Sequence, residues 1–167
     1  APTRSNQDKS TMYVHNHGML ANDAMKTWQF GALWWVFFIN ITCGIGLLSL
    51  ASPMAQETIG MTPAAAASLV GIIGIFNGGG RIAWSTISDY LGRAQTYILF
   101  FIIEIVAFYL LAQTNSALTF QILILLIITC YGGGFSCMPA YLADLYGIRQ
   151  LSPIHGRILT AWGLAGI

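Results

Sequence analysis

The sequence predicts an all-α integral membrane protein, a bundle of helices that cross a lipid bilayer. Charged residues make up only 8% of the 167 residues, whereas soluble domains carry about 25%. Hydrophobic residues make up 56%, and the mean hydropathy is +0.66. Three long windows contain no charge at all: 27–56, 58–80 and 105–143. Because a bilayer requires no charged surface and a spanning helix needs about 20 mostly apolar residues, these windows predict membrane spans.

The charge-free windows divide into individual spans. Four are expected, at 30–50, 63–87, 96–112 and 119–142, and a fifth begins near Ile158. The fifth, 158–167, is too short to cross a bilayer, so the chain is expected to be a fragment of a larger protein. Residues 1–28 are polar and mixed and lack the apolar core of a signal peptide. They are expected to form an arm or linker before the partial transmembrane bundle, 29–167.

The basic residues predict the orientation of the bundle. With four crossings, the arm and the loops 88–95 and 143–157 share one side of the membrane, and the loops 51–62 and 113–118 share the other. The second side carries no lysine or arginine, whereas the first side carries these bases: Arg4, Lys9, Lys26, Arg93, Arg149 and Arg157. Since basic loops stay in the cytoplasm, the arm is expected to be cytoplasmic in a multi-pass protein of the plasma or inner membrane.

Composition also argues against several other functions. The net charge of +1 lacks the basic excess that nucleic-acid binding needs. No nucleophile–base set and no spacing typical of metal ligands is present, so no catalytic residue, metal or cofactor is expected, and the protein is not expected to be an enzyme. The glycine run 78–80 does not follow the G-x-G-x-x-G spacing of a dinucleotide loop and has no strand before it.

Arg81 lies deep within the second expected span, in the stretch "NGGGRIAWSTISDYLGR". An arginine at such a depth costs about 2.5–3.5 kcal/mol on insertion scales. From depth alone, two readings are equally open: a functional charge, or a side chain that reaches the headgroups by snorkelling. The three preceding glycines favour function, because they leave space beside the guanidinium for another helix or a ligand. A guanidinium matches a carboxylate in bidentate fashion.

Glu104 is the second charge within an expected span. One interpretation is a carboxyl group that binds and releases a coupling proton. The other is a protonated acid that packs against a neighbouring helix without a transport role.

The end of the quoted stretch, "SDYLGR", resembles the loop signature of the major facilitator superfamily, G-x-x-x-D-x-x-G-R-[RK]. Asp89, Gly92 and Arg93 fit the spacing, whereas Ser85 and Ala94 replace the first glycine and the last base. These departures suit the weaker copy of the signature, which joins helices 8 and 9. The resemblance implies that the three matching residues form a gating loop, whose acid contacts the opposite half of the carrier.

Four further stretches resemble the oxalate:formate antiporter family: "MKTWQFGALWW", "ASPMAQE", "CYGGGFSCMPAYLADLYG" and "IHGRILTAWGLAG". The resemblance implies helices 7 to 10 and the start of helix 11 of a twelve-helix carrier. Residues 1–28 would then be the end of its central linker, and the partner of this chain would be the missing N-terminal half. The family exchanges or symports small carboxylates, so secondary active transport by alternating access is the function implied.

The same resemblance implies the binding residues. Arg81 matches a base of helix 8 that faces the central cavity in the oxalate carriers, and Trp162 stands where a second base is found in helix 11. One cation and a bulky aromatic suit a monocarboxylate such as lactate or pyruvate better than a dianion, and Asn77 and Asn40 are expected to help hold it. The alternative is a non-transporting membrane subunit or receptor, in which Arg81 and Glu104 serve packing or assembly.

Overall fold

The computed structural model describes residues 19–167, so most of the expected arm, 1–28, lies outside the described residues. The described chain is helical and contains no strand between residues 19 and 167. We number its helices α1 Ala21–Ala24, α2 Trp28–Glu57, α3 Pro63–Leu91, α4 Arg93–Leu111, α5 Ala117–Tyr146, α6 Leu151–Ile158 and α7 Thr160–Ala165. This architecture confirms the predicted all-α bundle.

Helices α2 to α5 are long and apolar enough to cross a membrane. They alternate in direction, so that the start of α2, the junction of α3 with α4 and the end of α5 lie together. We call this the basic end of the bundle, because Lys26, Arg93, Arg149 and Arg157 belong to it. The expected fifth span, 158–167, contains α7 and the last residue of α6, which are separated by a turn at Leu159.

The helix limits follow capping residues more closely than they follow the edges of the apolar windows. The hydroxyls of Thr27 and Thr62 accept the N–H groups of residues three positions further on and so cap α2 and α3. At the other ends, Gly92 terminates α3 with φ of 96° and Gly147 terminates α5 with φ of 78°. Only glycine adopts such backbone angles without steric cost. The helices therefore extend beyond most of the limits expected from charge-free windows.

Helix α5 forms the centre of the bundle. We compared the most apolar 18-residue stretch of each helix. In α5, 56% of this stretch is buried inside the bundle, whereas the share is 22–33% in α2, α3 and α4. Side-chain hydrogen bonds connect two neighbouring helices to α5. The hydroxyl of Tyr97 on α4 donates to the carbonyl of Gly134 at 2.7 Å, and Nε1 of Trp84 on α3 donates to Oγ1 of Thr129 at 3.2 Å. Any site built between α3 and its neighbours is therefore positioned by α5.

Glycines allow α3 and α5 to approach each other closely. A Cβ atom on Gly80 would lie 2.6 Å from the carbonyl oxygen of Thr129, and one on Gly133 would lie 2.7 Å from Cβ of Trp84. A Cβ on Gly132 would collide with the backbone oxygen of Asn77. Small residues at helix contacts are the usual means of close packing in membranes. Both helices remain continuous through their glycine triplets, 78–80 and 132–134.

The basic end is closed by contacts between α1, α5 and α6. The N–H of Met19 donates to the carbonyl of Tyr146, and the N–H of Ala21 donates to Oε1 of Gln150, both at 2.8 Å. Arg157 Nη2 donates to Oδ1 of Asn22 at 2.7 Å. These bonds fix α6 against the start of the described chain.

Adjacent glycines provide a test of the close approach. We expect Gly80→Ala to lower the stability of the purified chain in detergent by about 1–3 kcal/mol, because the rigid backbone of Thr129 blocks the added methyl group. Gly79→Ala is the matched control, since a Cβ at that position would meet no atom of a neighbouring helix within 4 Å in the described chain. Its stability should be unchanged or slightly higher, because alanine favours helix. Equal thermal unfolding temperatures for both variants would contradict the packing.

Candidate functional site

A cavity of about 470 Å³ opens between α3, α5 and the α6–α7 region. We call it the Arg81 cavity. It brings together two of the residues expected at the binding site, Arg81 and Trp162. Its complete lining is Arg81, Tyr131, Phe135, Ser136, His155, Leu159 and Trp162.

Arg81 is the cation of this cavity. Its guanidinium carbon lies 5.5 Å from the centre of the Phe135 ring, within the range of a cation–π contact. Its backbone carbonyl accepts a hydrogen bond of 2.9 Å from Ser136 Oγ, which ties this turn of α3 to α5. No Asp or Glu of the described chain forms an ion pair with Arg81. The guanidinium therefore keeps its hydrogen-bond donors available for an anion.

Aromatic rings form the wall around the guanidinium. Phe135 lies edge to face with Trp162, with 6.0 Å between the ring centres, and edge to face with Tyr131 at 5.3 Å. Tyr131 is itself held against α2, because a Cβ on Gly44 would collide with its ring. The cavity thus combines one permanent cation with a rigid apolar lining, which suits a small anion that has an apolar part.

The two asparagines expected to assist Arg81 lie elsewhere. Asn77 is half-buried against Gly132, and its Oδ1 is buried without a hydrogen-bond partner in the described chain. Asn40 is fully buried and donates from Nδ2 to Oε1 of Glu104 at 2.9 Å. Neither lines the Arg81 cavity. Their contribution to substrate binding stays a prediction.

Glu104 and Asn40 form a buried polar pair between α4 and α2. Glu104 is 2% exposed, and its second oxygen, Oε2, has no hydrogen-bond partner among the described residues. Apart from Asn40, the side chains around it include those of an apolar groove: Ile39, Cys43, Phe101, Ile105 and Phe108. A carboxyl group in such surroundings is held at the lowest cost in its neutral form. The pair is separate from the Arg81 cavity.

Arg93 joins three helices at the basic end. Its Nη2 lies 2.6 Å from Oδ1 of Asp89, its Nε donates to Oδ2 of Asp144 at 3.2 Å, and its Nη1 donates to Ser88 Oγ at 2.8 Å. Gly92, with its positive φ, allows α4 to begin directly after α3. The motif residues are therefore brought together. Asp144 completes the cluster from α5, and the motif's spacing gives no indication of it.

His155 is a cavity residue that the sequence analysis did not identify. It lies on α6, upstream of the expected fifth span, and its Nε2 is buried without a hydrogen-bond partner in the described chain. Burial lowers the pKa of His155 below its ordinary value. Helical spacing was the available signal, because His155, Leu159 and Trp162 are four and three residues apart.

Comparison with known proteins gives one family. The family model described as Major Facilitator Superfamily matches residues 5–167. The chain is similar to the oxalate:formate antiporter of Oxalobacter formigenes, with 28% identity over 163 residues that cover 95% of the chain and 38% of that protein. It is also similar to the uncharacterized MFS-type transporter YhjX of Escherichia coli (strain K12), with 26% identity over 147 residues that cover 87% of the chain and 36% of that protein. The chain therefore spans less than two fifths of either relative.

The buried pair of Asn40 and Glu104 gives a prediction. Because an amide has the shape of a neutral carboxyl group and can still bond Asn40, we expect Glu104→Gln to stay within about 1 kcal/mol of the native stability. Glu104→Ala should lose about 2–4 kcal/mol, since it leaves a void and removes the partner of Asn40. Thermal unfolding of the purified chain in detergent measures both. A glutamine variant as unstable as the alanine variant would mean that the negative charge itself is required.

Proposed function

This chain belongs to the major facilitator superfamily, and on that premise we propose that it is the C-terminal part of a carrier that moves a small monocarboxylate, such as lactate or pyruvate. The chain is an incomplete carrier. The missing N-terminal half supplies the other wall of the central site, and the two halves rock about that site in alternating access. Similarity to an oxalate:formate antiporter supports an organic anion as the substrate.

The unpaired guanidinium of Arg81 carries this proposal. A permanent charge within an apolar bundle is costly unless something compensates it, and the described chain provides no acidic partner. The cavity beside it has room for a small ligand. A substrate carboxylate would supply the missing charge and accept two parallel hydrogen bonds from the planar guanidinium. Packing or assembly, the role expected in a non-transporting subunit or receptor, gives no reason for a cavity at this position.

One cation and an aromatic wall favour a monoanion. A dicarboxylate would bring a second charge, and the cavity lining has no second permanent cation to neutralise it, because the resemblance places Trp162 where the oxalate carriers have one. Burying an unpaired carboxylate is expensive. The methyl group of lactate or pyruvate would instead contact the rings of Phe135 and Trp162, which line the cavity together.

The Arg93 cluster is proposed as a gate on the cytoplasmic side. Asp89 and Asp144 are mostly exposed, with 61% and 60% of their side-chain surface accessible, so each ion pair contributes little on its own. Weak, solvent-exposed pairs can break and re-form as helices move. The cluster would hold α3, α4 and α5 together in one state and release Asp89 to the opposite half of the carrier in another.

For Glu104, the separation from the Arg81 cavity favours a structural role in a neutral state. Proton coupling is the competing role. If Glu104→Gln abolished proton-driven uptake while sparing exchange, the coupling proton would belong to Glu104.

The role of Arg81 is tested by counterflow of labelled L-lactate in liposomes that contain the complete carrier. We expect Arg81→Ala to reduce the initial rate at least about 100-fold, because the principal anchor of the carboxylate is lost. Arg149→Ala is the control, since this exposed arginine lies outside the cavity, and its rate should match the native carrier. Robust counterflow by Arg81→Ala would refute the assignment, and no counterflow by the native carrier would favour a receptor or subunit.

Charge selectivity gives a second prediction. Trp162→Lys adds a cation opposite Arg81 and removes an aromatic ring. We expect the ratio of oxalate to lactate affinity to rise at least about tenfold, because each buried charge of a dianion then has a partner. Competition of each anion against labelled substrate measures the ratio. Trp162→Phe keeps the aromatic wall and should keep the native preference. A native carrier that already prefers oxalate would contradict the monocarboxylate proposal.

A further inference from the structure

We propose that His155 takes up a proton when a carboxylate binds beside Arg81, and so provides the second, pH-dependent cation of the site. The inference rests on the proposed function of the Arg81 cavity and extends it to a residue that had no role. It makes the binding of one anion and one proton a single coupled event.

The position of His155 is the first argument. His155, Leu159 and Trp162 occupy one face of the α6–α7 region and line the same cavity as Arg81. The imidazole therefore belongs to the opposite wall from the guanidinium, which α3 provides. A carboxylate small enough to enter the cavity has two oxygens with which to bond two such groups.

The second argument is the unsatisfied imidazole. Nε2 of His155 is buried and has no hydrogen-bond partner in the described part of the chain. A buried polar atom without a partner costs about 1–3 kcal/mol. Because this atom is also closed to solvent, an anion in the cavity reaches it only when the ring rotates, and the protonated ring then donates from both nitrogens.

The charged groups around His155 determine whether its pKa is raised or lowered. Arg81 on α3 and Tyr131 on α5 are the other titratable groups that line the cavity, and its lining includes no Asp or Glu. Asp23 of α1 pairs with Lys26, which follows that helix, at 3.2 Å, and α7 carries no titratable side chain. The titratable groups of α2, Cys43 and Glu57, do not line the cavity.

Without an acid nearby, the empty site favours neutral His155. Burial lowers the pKa of its imidazole, because desolvation penalises the charged form. A bound carboxylate acts in the opposite direction and raises this pKa, because a nearby negative charge favours the charged imidazolium. Affinity for the anion should therefore be greatest below the pKa of His155 and fall as the pH rises through it.

Contacts elsewhere on α6 hold the imidazole in position. Arg157, on the same helix, donates to Asn22 at 2.7 Å, and Gln150 at its start accepts from the N–H of Ala21 at 2.8 Å. These bonds fix α6, and with it the backbone position from which the His155 side chain reaches the cavity.

The test measures proton uptake on binding, with L-lactate as the probe and the complete carrier in detergent. Titration calorimetry near pH 6 in two buffers of different ionisation enthalpy gives the number of protons taken up. We expect about half a proton per lactate for the native carrier, and affinity about tenfold weaker at pH 8 than at pH 5. His155→Gln, which keeps a donor but cannot titrate, should take up none and bind weakly at every pH.

Two further variants keep the test decisive. His155→Lys stays charged over this range, so it should bind as tightly as the native carrier does in acid, without proton uptake, even if the glutamine variant does not fold. Ser152→Ala, an exposed position on the same helix, should behave as the native carrier does.

The outcomes separate this inference from the proposed function. Native carrier that binds lactate without proton uptake, or His155→Gln that retains the uptake, would overturn the role of His155 and leave the carrier proposal intact. Failure of the native carrier to bind lactate at any pH would overturn both.

Discussion

The close approach of α3 and α5 is the constraint on which the rest of the structure depends. Gly80 on α3, and Gly132 and Gly133 on α5, leave no room for a side chain between the two backbones. In a bilayer no hydrophobic driving force holds helices together, so dispersion contacts and a few hydrogen bonds must do so. The contact aligns Ser136 and Phe135 with Arg81, because Arg81 directly follows Gly80 on α3 and the other two follow Gly132 and Gly133 within about one turn on α5. Backbone proximity therefore determines where the cation of the cavity lies.

The two arginines near this contact have opposite surroundings. Arg93 is satisfied by two carboxylates and a hydroxyl, whereas Arg81 contacts the face of one ring. Since a guanidinium stays charged at any physiological pH, the difference cannot be one of protonation. It is a difference in availability: Arg93 ties helices together, and Arg81 has donors left for a molecule that is not part of the chain. The three glycines before Arg81 were expected to leave space beside its guanidinium. Of these, Gly80 packs against α5, and only Gly78 and Gly79 have free space beside them.

The sequence predicted the helical membrane class and the four spanning segments, because charge-free windows measure what a bilayer tolerates. It also predicted that Arg81 is exceptional, since an isolated charge in an apolar window is visible without coordinates. The sequence did not predict the pairing of Asn40 with Glu104, because contact between α2 and α4 depends on how each helix is rotated about its axis. Asp144 and His155 were missed for a related reason: each is ordinary in its own segment, and its importance comes from a residue on a distant helix, Arg93 for Asp144 and Arg81 for His155.

The bonds of the first described residues to α5 and α6 have a mechanical consequence. Met19 is attached to the end of α5, while Ala21 and Asn22 are attached to α6. The start of the described chain is thus hydrogen-bonded both to the end of α5 and to α6. A displacement of residues 19–22 therefore either breaks these bonds or moves α6 with it, and α6 carries part of the cavity wall.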